Sequence, residues 1–223
     1  MVATIDDFFP NWKKLEIKHQ NMLRDSASFM SVPKNTLLHN GDADCIGVML
    51  VYTGQLRVYM MSEEGKEVSL YRIFERDMCL LSASCMLASI QFESFVEADK
   101  NTTFWLIPAY VYRKIMDESL ILANYTNDLM ASRFTDVMWL MEQIVFKSMD
   151  ERLADFLISE SSLEESNTIK ITHEKIAQYL GSAREVVTRL LKYFQDDGAV
   201  SLSRGGITII NEKKLQKHID RFS

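Results

Sequence analysis

Between Ser119 and Lys147 the chain runs for 29 residues without a glycine or a proline. No other feature limits its architecture as strongly. At 1.5 Å per residue a helix over this span is about 43 Å long, more than the diameter of a small domain. Met130, Phe134, Val137, Met141 and Ile144 recur along it at spacings of 4, 3, 4 and 3, the seam of a two-stranded coiled coil. A second stripe, Leu122, Tyr125, Leu129 and Leu140, lies on another side. One face can therefore pack on a parent domain and the other on a second copy of the chain; the alternative is a helix buried within its own domain. The expectation is a homodimer joined along Met130 to Ile144.

This helix divides the sequence into three parts: a front domain over 1–118, the helix over 119–147 and a rear domain over 148–223. At 223 residues the chain suits two modest domains. From Thr36 to Pro108, β-branched and aromatic runs are broken by turn signals at Asn40-Gly41-Asp42, Thr53-Gly54, Ser62 to Lys66 and Asp99 to Thr102. Such spacing predicts a sandwich or barrel. Leu56, Val58 and Met60 share one face, and Val68 and Leu70 return after the Gly65 turn, which predicts a hairpin with a buried side.

The rear part carries the most specific pattern. Thr172 is placed to cap a short amphipathic helix over Lys175 to Leu180. Gly181 makes a turn, and Ser182-Ala183-Arg184-Glu185 reads as a capping box opening a second helix, with Ser182 at the N-cap and Glu185 three residues on. Ile176, Leu180, Val187 and Leu190 supply the facing apolar sides, and the small Ala177 allows close crossing. This is the spacing of a helix-turn-helix. Asp196-Asp197-Gly198 ends the second helix, and Val200 to Leu202 with Ile207 to Ile210 flank Ser203-Arg204-Gly205-Gly206 as a β-hairpin wing.

A net charge of −6 at first argues against a nucleic-acid partner, because phosphates need Lys and Arg. The excess acid lies mostly ahead of Asp150, since 11 basic residues face 12 acidic ones from there to the end. Arg184, Arg189 and Lys192 oppose only Glu185 along the second short helix. Local sign governs docking on a phosphate backbone. Arg184 and Arg189 suit bidentate guanine contacts, Glu185 can accept from a cytosine amino group, and Thr188 can make a hydroxyl or methyl contact. Thr172, His173, Ser182, Lys192 and Arg204 are better placed for phosphates.

At this point the sequence resembles the Crp/Fnr superfamily of transcription regulators over nearly its whole length. In the front half the resemblance rests on Leu37 to Asp42, on Thr53-Gly54-Gln55-Leu56-Arg57-Val58-Tyr59 and on Glu64-Gly65-Lys66-Glu67. In the rear half it rests on Ile171 to Ala177, Leu180-Gly181 and Arg184 to Leu191. It implies an α+β chain with an N-terminal double-stranded β-helix (jelly-roll) sensor, a long dimerisation helix and a C-terminal winged helix-turn-helix. It also implies double-stranded DNA and RNA polymerase as partners, and an inverted-repeat operator with half-sites similar to TGTGA or TTGA, read by Arg184, Glu185 and Arg189.

The effector is where the sequence departs from the best-known relatives. Their cyclic-nucleotide site needs a Gly-Glu-Leu turn and an Arg followed by Ser or Thr; here the first aligns with Leu80-Leu81-Ser82 and the second with Phe92-Glu93. A buried phosphate without an Arg lacks its charge-assisted partner, so no cyclic nucleotide is expected. Three cysteines, Cys45, Cys79 and Cys85, cannot complete the four-thiolate iron–sulfur site of oxygen-sensing relatives. Leu81, Ser82, Ser84, Cys85 and Phe92 mark a candidate pocket for a small organic effector, or else a tightly packed corner. Cys79 and Cys85 could form a redox switch, buried structural thiols being the alternative.

The odd cysteine count and the charged N-terminus suggest a cytoplasmic protein with reduced thiols, neither secreted nor membrane-spanning. His19, His39, His173 and His218 are scattered, so no metal site is indicated. An enzyme would be expected to carry a pattern such as Gly-x-Ser-x-Gly, His-Glu-x-x-His or a phosphate-binding glycine loop, and none is present. The remaining competitor is an interaction module whose helix-turn-helix no longer reads DNA.

Overall fold

The computed structural model describes residues 4–41, 46–82 and 93–219. The chain parts into two compact units, Met1–Met61 with Leu70–Val137, and Ser62–Ser69 with Met138–Ser223.

Among the described residues eight strands build the front of the chain: β1 (Ser28–Val32), β2 (Leu37–Asn40), β3 (Val48–Thr53), β4 (Leu56–Met61), β5 (Glu67–Ile73), β6 (Met78–Cys79), β7 (Phe95–Ala98) and β8 (Thr102–Ile107). They form two four-stranded sheets with orders β1-β8-β3-β6 and β2-β7-β4-β5. Pairing is antiparallel, as in Val58 opposite Val96 and Leu50 opposite Trp105. This is the expected jelly-roll architecture, and with the helices it makes an α+β fold.

Alternation decides what each sheet face meets. Met49, Val51, Leu56, Val58, Val96, Ala98 and Phe104 pack together in one core. Val48, Leu50 and Ile107 point the other way, into a second core with Phe8, Trp12, Leu23, Tyr112 and Ile115. Strand β3 is therefore buried on both faces from Val48 to Val51. The second layer is built by α1 (Ile17–Ser26) and α2 (Ala109–Glu118). In β4 the expected inward row stops early: Leu56 and Val58 are buried but Met60 is exposed, because the strand outruns the core near the hairpin turn. Gly65 makes that turn at φ +79°, a conformation costly for residues with a Cβ.

The opposite face of β4 carries Arg57, which is fully buried. Its guanidinium lies 4.0 Å from the Tyr59 ring centroid, with Nη2 3.6 Å from Glu97 and Nε 3.9 Å from Asp99. A buried cation of this kind requires opposite charge around it.

The long helix, α3, spans Leu120–Phe146, within a residue of its expected limits. Of the second stripe, Leu122, Tyr125 and Leu129 pack against the front core, whereas half-buried Leu140 is not part of it. Met130, assigned to the dimer seam, also rests partly on that core. Phe134, Met141 and Ile144 are exposed and Val137 is half-buried. Arg133 leaves the same helix to pair with Asp77 and to lie 5.0 Å over the Tyr71 ring, which ties helix to sandwich.

The rear unit contains α4 (Met149–Leu163), β9 (Thr168–Ile169), α5 (His173–Leu180), α6 (Arg184–Asp196), β10 (Val200–Ser203), β11 (Gly206–Ile209) and α7 (Glu212–Ile219). Leu153, Leu157, Ile176, Val187, Leu191, Phe194 and Leu215 form its core. The wing is a three-stranded sheet, β10-β11-β9, one strand more than the expected hairpin. Among the described residues no helix is long and apolar enough to cross a membrane.

Candidate nucleic-acid interface

Helix α5 begins at His173, two residues before its expected start, with Thr172 as N-cap. The Thr172 hydroxyl oxygen accepts from the Lys175 N–H at 3.1 Å, which leaves its own O–H free to donate. The helix ends at Gly181, left-handed at φ 60° and ψ 44°. The Ser182 N–H then donates back to the Ala177 carbonyl at 2.9 Å, the bond that closes a Schellman-type end. Ser182 thus terminates α5 and does not open α6.

The N-cap of α6 is Ala183, and no side chain caps it. This corrects the expected capping box. With Ala183 at the cap, Glu185 falls at the second helical position, one short of the place from which a carboxylate reaches back to the cap. Its charge still suits the positive end of the helix, but Glu185 is exposed and holds no capping bond.

Helix α6 has a strong division of faces. Val187, Leu191 and Phe194 are fully buried. Arg184, Glu185, Thr188, Arg189 and Lys192 are all exposed, and at 100° per residue they occupy an arc of about 140°. Three cations and one carboxylate share this stripe. Its dimensions suit a major groove, which admits one α-helix. All four expected base-reading residues stand together here, with Lys192 on the same face.

Beside this stripe, Thr172, His173, Glu174, Arg184, Ser203 and Gly205 help line a cleft of about 450 Å³. The wing turn brings Gly205 to φ +83° and leaves Arg204 exposed next to it. His173, expected at a phosphate, also makes a bond the sequence does not reveal: its Nδ1 lies 2.9 Å from the Thr188 hydroxyl. Partial burial and the neighbouring Arg184 hold the imidazole below the ordinary histidine range.

Two cations missed by sequence reasoning brace α5 and α6. Arg152 on α4 donates to the Leu180 carbonyl at the end of α5, and burial pushes its guanidinium down. Lys214 on α7 donates to the Asp197 carbonyl at the end of α6. Each places positive charge at a helix C-terminus, where the exposed carbonyls favour it. His218 is buried against the Phe194 and Tyr193 rings, at centroid distances of 4.8 and 5.6 Å. It is a core residue of the rear unit, and among the described residues no cluster of three or more metal-ligating side chains occurs.

In the front unit Leu81 is buried in the sandwich core. The Ser82 hydroxyl is 2.7 Å from the Gly47 carbonyl, to which it donates, so its polar capacity is engaged by backbone. Cys79 is fully buried, and burial pushes its thiol up, away from the reactive thiolate. Ser84, Cys85 and Phe92, the other candidate effector-pocket residues, lie outside the described residues, as does Cys45.

Comparison with known proteins adds an independent line. The Crp-like helix-turn-helix domain model matches residues 151–218. The chain is 24% identical over 179 residues to the global nitrogen regulator of Synechococcus elongatus, covering 76% of this chain and 80% of that one. It is likewise 24% identical to the cAMP-activated global transcriptional regulator CRP of Pasteurella multocida, covering 75% and 82%. Among solved structures, a crp/fnr family protein from Eubacterium rectale matches with a TM-score of 0.93 at 53% identity, over 96% of this chain and 99% of that one.

Proposed function

The chain belongs to the Crp/Fnr family of transcription regulators and carries that family's helix-turn-helix DNA-binding domain, and from this premise we propose that it works as a homodimer reading an inverted-repeat operator. The observation that carries the reading is the exposed stripe of Arg184, Glu185, Thr188, Arg189 and Lys192 over the buried Val187, Leu191 and Phe194. Arg184 and Arg189 read guanines, Glu185 accepts from a cytosine amino group, and Thr188 touches a further base. Thr172, His173, Ser182, Lys192 and Arg204 hold phosphates, which fix register without sequence information.

Twofold symmetry sets the operator layout: half-sites similar to TGTGA or TTGA, about 10 base pairs apart centre to centre. Phe134, Val137, Met141 and Ile144, with part of Met130, form the dimer seam. The front sandwich, 1–118, is the sensing domain, α3 the dimerisation helix and 148–223 the reading head. The controlling signal is an effector other than a cyclic nucleotide, because apolar Leu81 occupies the turn where an acid is required. A regulator of this kind works in the cytoplasm, with RNA polymerase as its functional partner.

The direct test is a mobility shift at fixed salt with a duplex carrying an inverted TGTGA repeat. The parent should bind well below micromolar, and Arg189→Ala should lose about 1–3 kcal/mol, the contribution of a bidentate guanine pair. Equal binding of parent and variant to operator and scrambled duplex would favour a module that no longer reads sequence.

A further inference from the structure

The bond between His173 and Thr188 has no part in the DNA contacts proposed so far. It joins a residue at the phosphate-side cleft to a residue on the base-reading stripe, across 15 positions of sequence. His173 lines the cleft together with Arg184 and Thr172, whereas Thr188 is exposed on the outer face of α6.

We propose that His173 is a proton-gated specificity residue: its charge state fixes whether the Thr188 hydroxyl offers DNA a hydrogen-bond acceptor or a donor. The inference rests on the DNA-binding reading of α6 and adds a rule for one base pair. A phosphate seated in the cleft needs a donor, which the imidazole supplies as Nε2–H. In the neutral ring that tautomer leaves Nδ1 as an acceptor, so the Thr188 O–H donates to it. The Thr188 oxygen then faces the groove with lone pairs alone and selects an amino group, adenine N6 or cytosine N4. When the ring takes a proton from solvent, both nitrogens become donors. Nδ1–H now donates to the Thr188 oxygen, and the hydroxyl hydrogen is turned outward. It selects an acceptor: guanine O6 or N7, thymine O4 or adenine N7. No bond to carbon changes, and one proton moves between solvent and Nδ1.

The groups around His173 act on this exchange in both directions. Partial burial and, after it, Arg184 of α6 act against the cation, as the lowered titration of His173 in the free protein reflects. Glu174, on the same helix as His173, lines the cleft and acts for it; the wing contributes Ser203, Gly205, Gly206 and Ile207, none of them charged. A seated phosphate adds negative charge and draws the ring toward its cationic form. Proton uptake is therefore coupled to DNA binding, and acid pH favours the donor form of Thr188.

The test is selection from duplexes with fully randomised half-sites at about pH 5.5 and about pH 8, which bracket ordinary histidine titration. Parent, His173→Gln and Thr188→Val proteins are compared after their thermal melts establish that each is folded. The parent should show one position where preference moves from an amino-bearing base at high pH to an acceptor at low pH, by about fivefold, the scale of one hydrogen bond. Thr188→Val should flatten that same position at both pH values. His173→Gln should keep a motif that no longer responds to pH. A parent motif identical at the two pH values overturns the proposal while leaving the DNA-binding reading intact. A pH response that survives in His173→Gln overturns it as well. Absence of any selected motif in the folded parent removes both readings together.

Discussion

Truncating Phe134 to alanine should break the dimer. Phe134 sits mid-way along α3 and is 67% exposed in the single chain, an unusual position for so large an apolar ring. A phenylalanine offers about 200 Å² of surface, so about 130 Å² of this ring stands in water. At about 25 cal/mol per Å², covering it is worth about 3 kcal/mol. In a twofold dimer each substitution acts twice, and loss of most of both rings costs about 4 kcal/mol or more, a rise in the dimer dissociation constant of about a thousandfold. Sedimentation equilibrium across nanomolar to high micromolar protein measures this directly. Trp139→Ala is the control. Trp139 is 56% exposed but lies about 140° around the helix from Phe134, so its loss should leave the association constant within a few-fold. The reasoning is refuted if the parent sediments as a monomer at micromolar concentration, or if the Trp139 variant dissociates and the Phe134 variant does not.

Three further outcomes are expected. Calorimetric titration with cyclic AMP or cyclic GMP should give no micromolar binding, since Leu81 is part of the sandwich core; a micromolar isotherm would overturn the alignment of that turn. Arg57→Met should remove the Arg57 cation from Glu97 and Asp99 and cost about 3–5 kcal/mol in denaturant titration, whereas a loss under about 1 kcal/mol would mean that the buried cluster is neutral in effect. Arg152→Ala should lower the stability of the rear unit by about 1.5–3 kcal/mol, the range for a hydrogen bond from a charged donor; an unchanged melt would show that Gly181 and the core hold the turn alone.

What could be read from the sequence was what period and turn chemistry determine. The glycine-free span became α3 almost residue for residue, and the alternation around Gly65 became β4 and β5. Gly181 could be read because the left-handed conformation between two close helices strongly favours glycine. The cap of α6 could not. Ser182-x-x-Glu185 satisfies the capping pattern, yet the Ser182 N–H is needed to close α5, which displaces the start of α6 to Ala183. Two local rules competed for one residue, and the end of the earlier helix prevailed.

The remaining surprises come from groups far apart in sequence. Arg57 reads as one more outward residue of a hairpin; only β7 and the turn after it bring Glu97 and Asp99 alongside. The His173 to Thr188 bond needs α5 and α6 to cross, and nothing in either helix alone signals it. Arg152 and Lys214 look like ordinary surface cations until the helix ends they cover are known. Met130 fits the heptad spacing but follows directly on Leu129, and the front core claims part of it.

On the proposed function, the exposed stripe on α6 reads base sequence. Glu185→Gln tests it most directly. The shifted N-cap leaves Glu185 without a capping bond to lose, so the substitution removes a charge and adds an amide donor while the helix start stays as it is. Selection on randomised duplexes should return, for the parent, an inverted repeat with a G·C pair at the glutamate-read position of each half-site. For Glu185→Gln the same repeat should return with that one position degenerate and the arginine-read guanines retained. An unchanged motif would contradict the assignment of Glu185 as a base reader and with it the proposed half-site, and a folded parent that selects no motif would contradict the placement of α6 in the major groove.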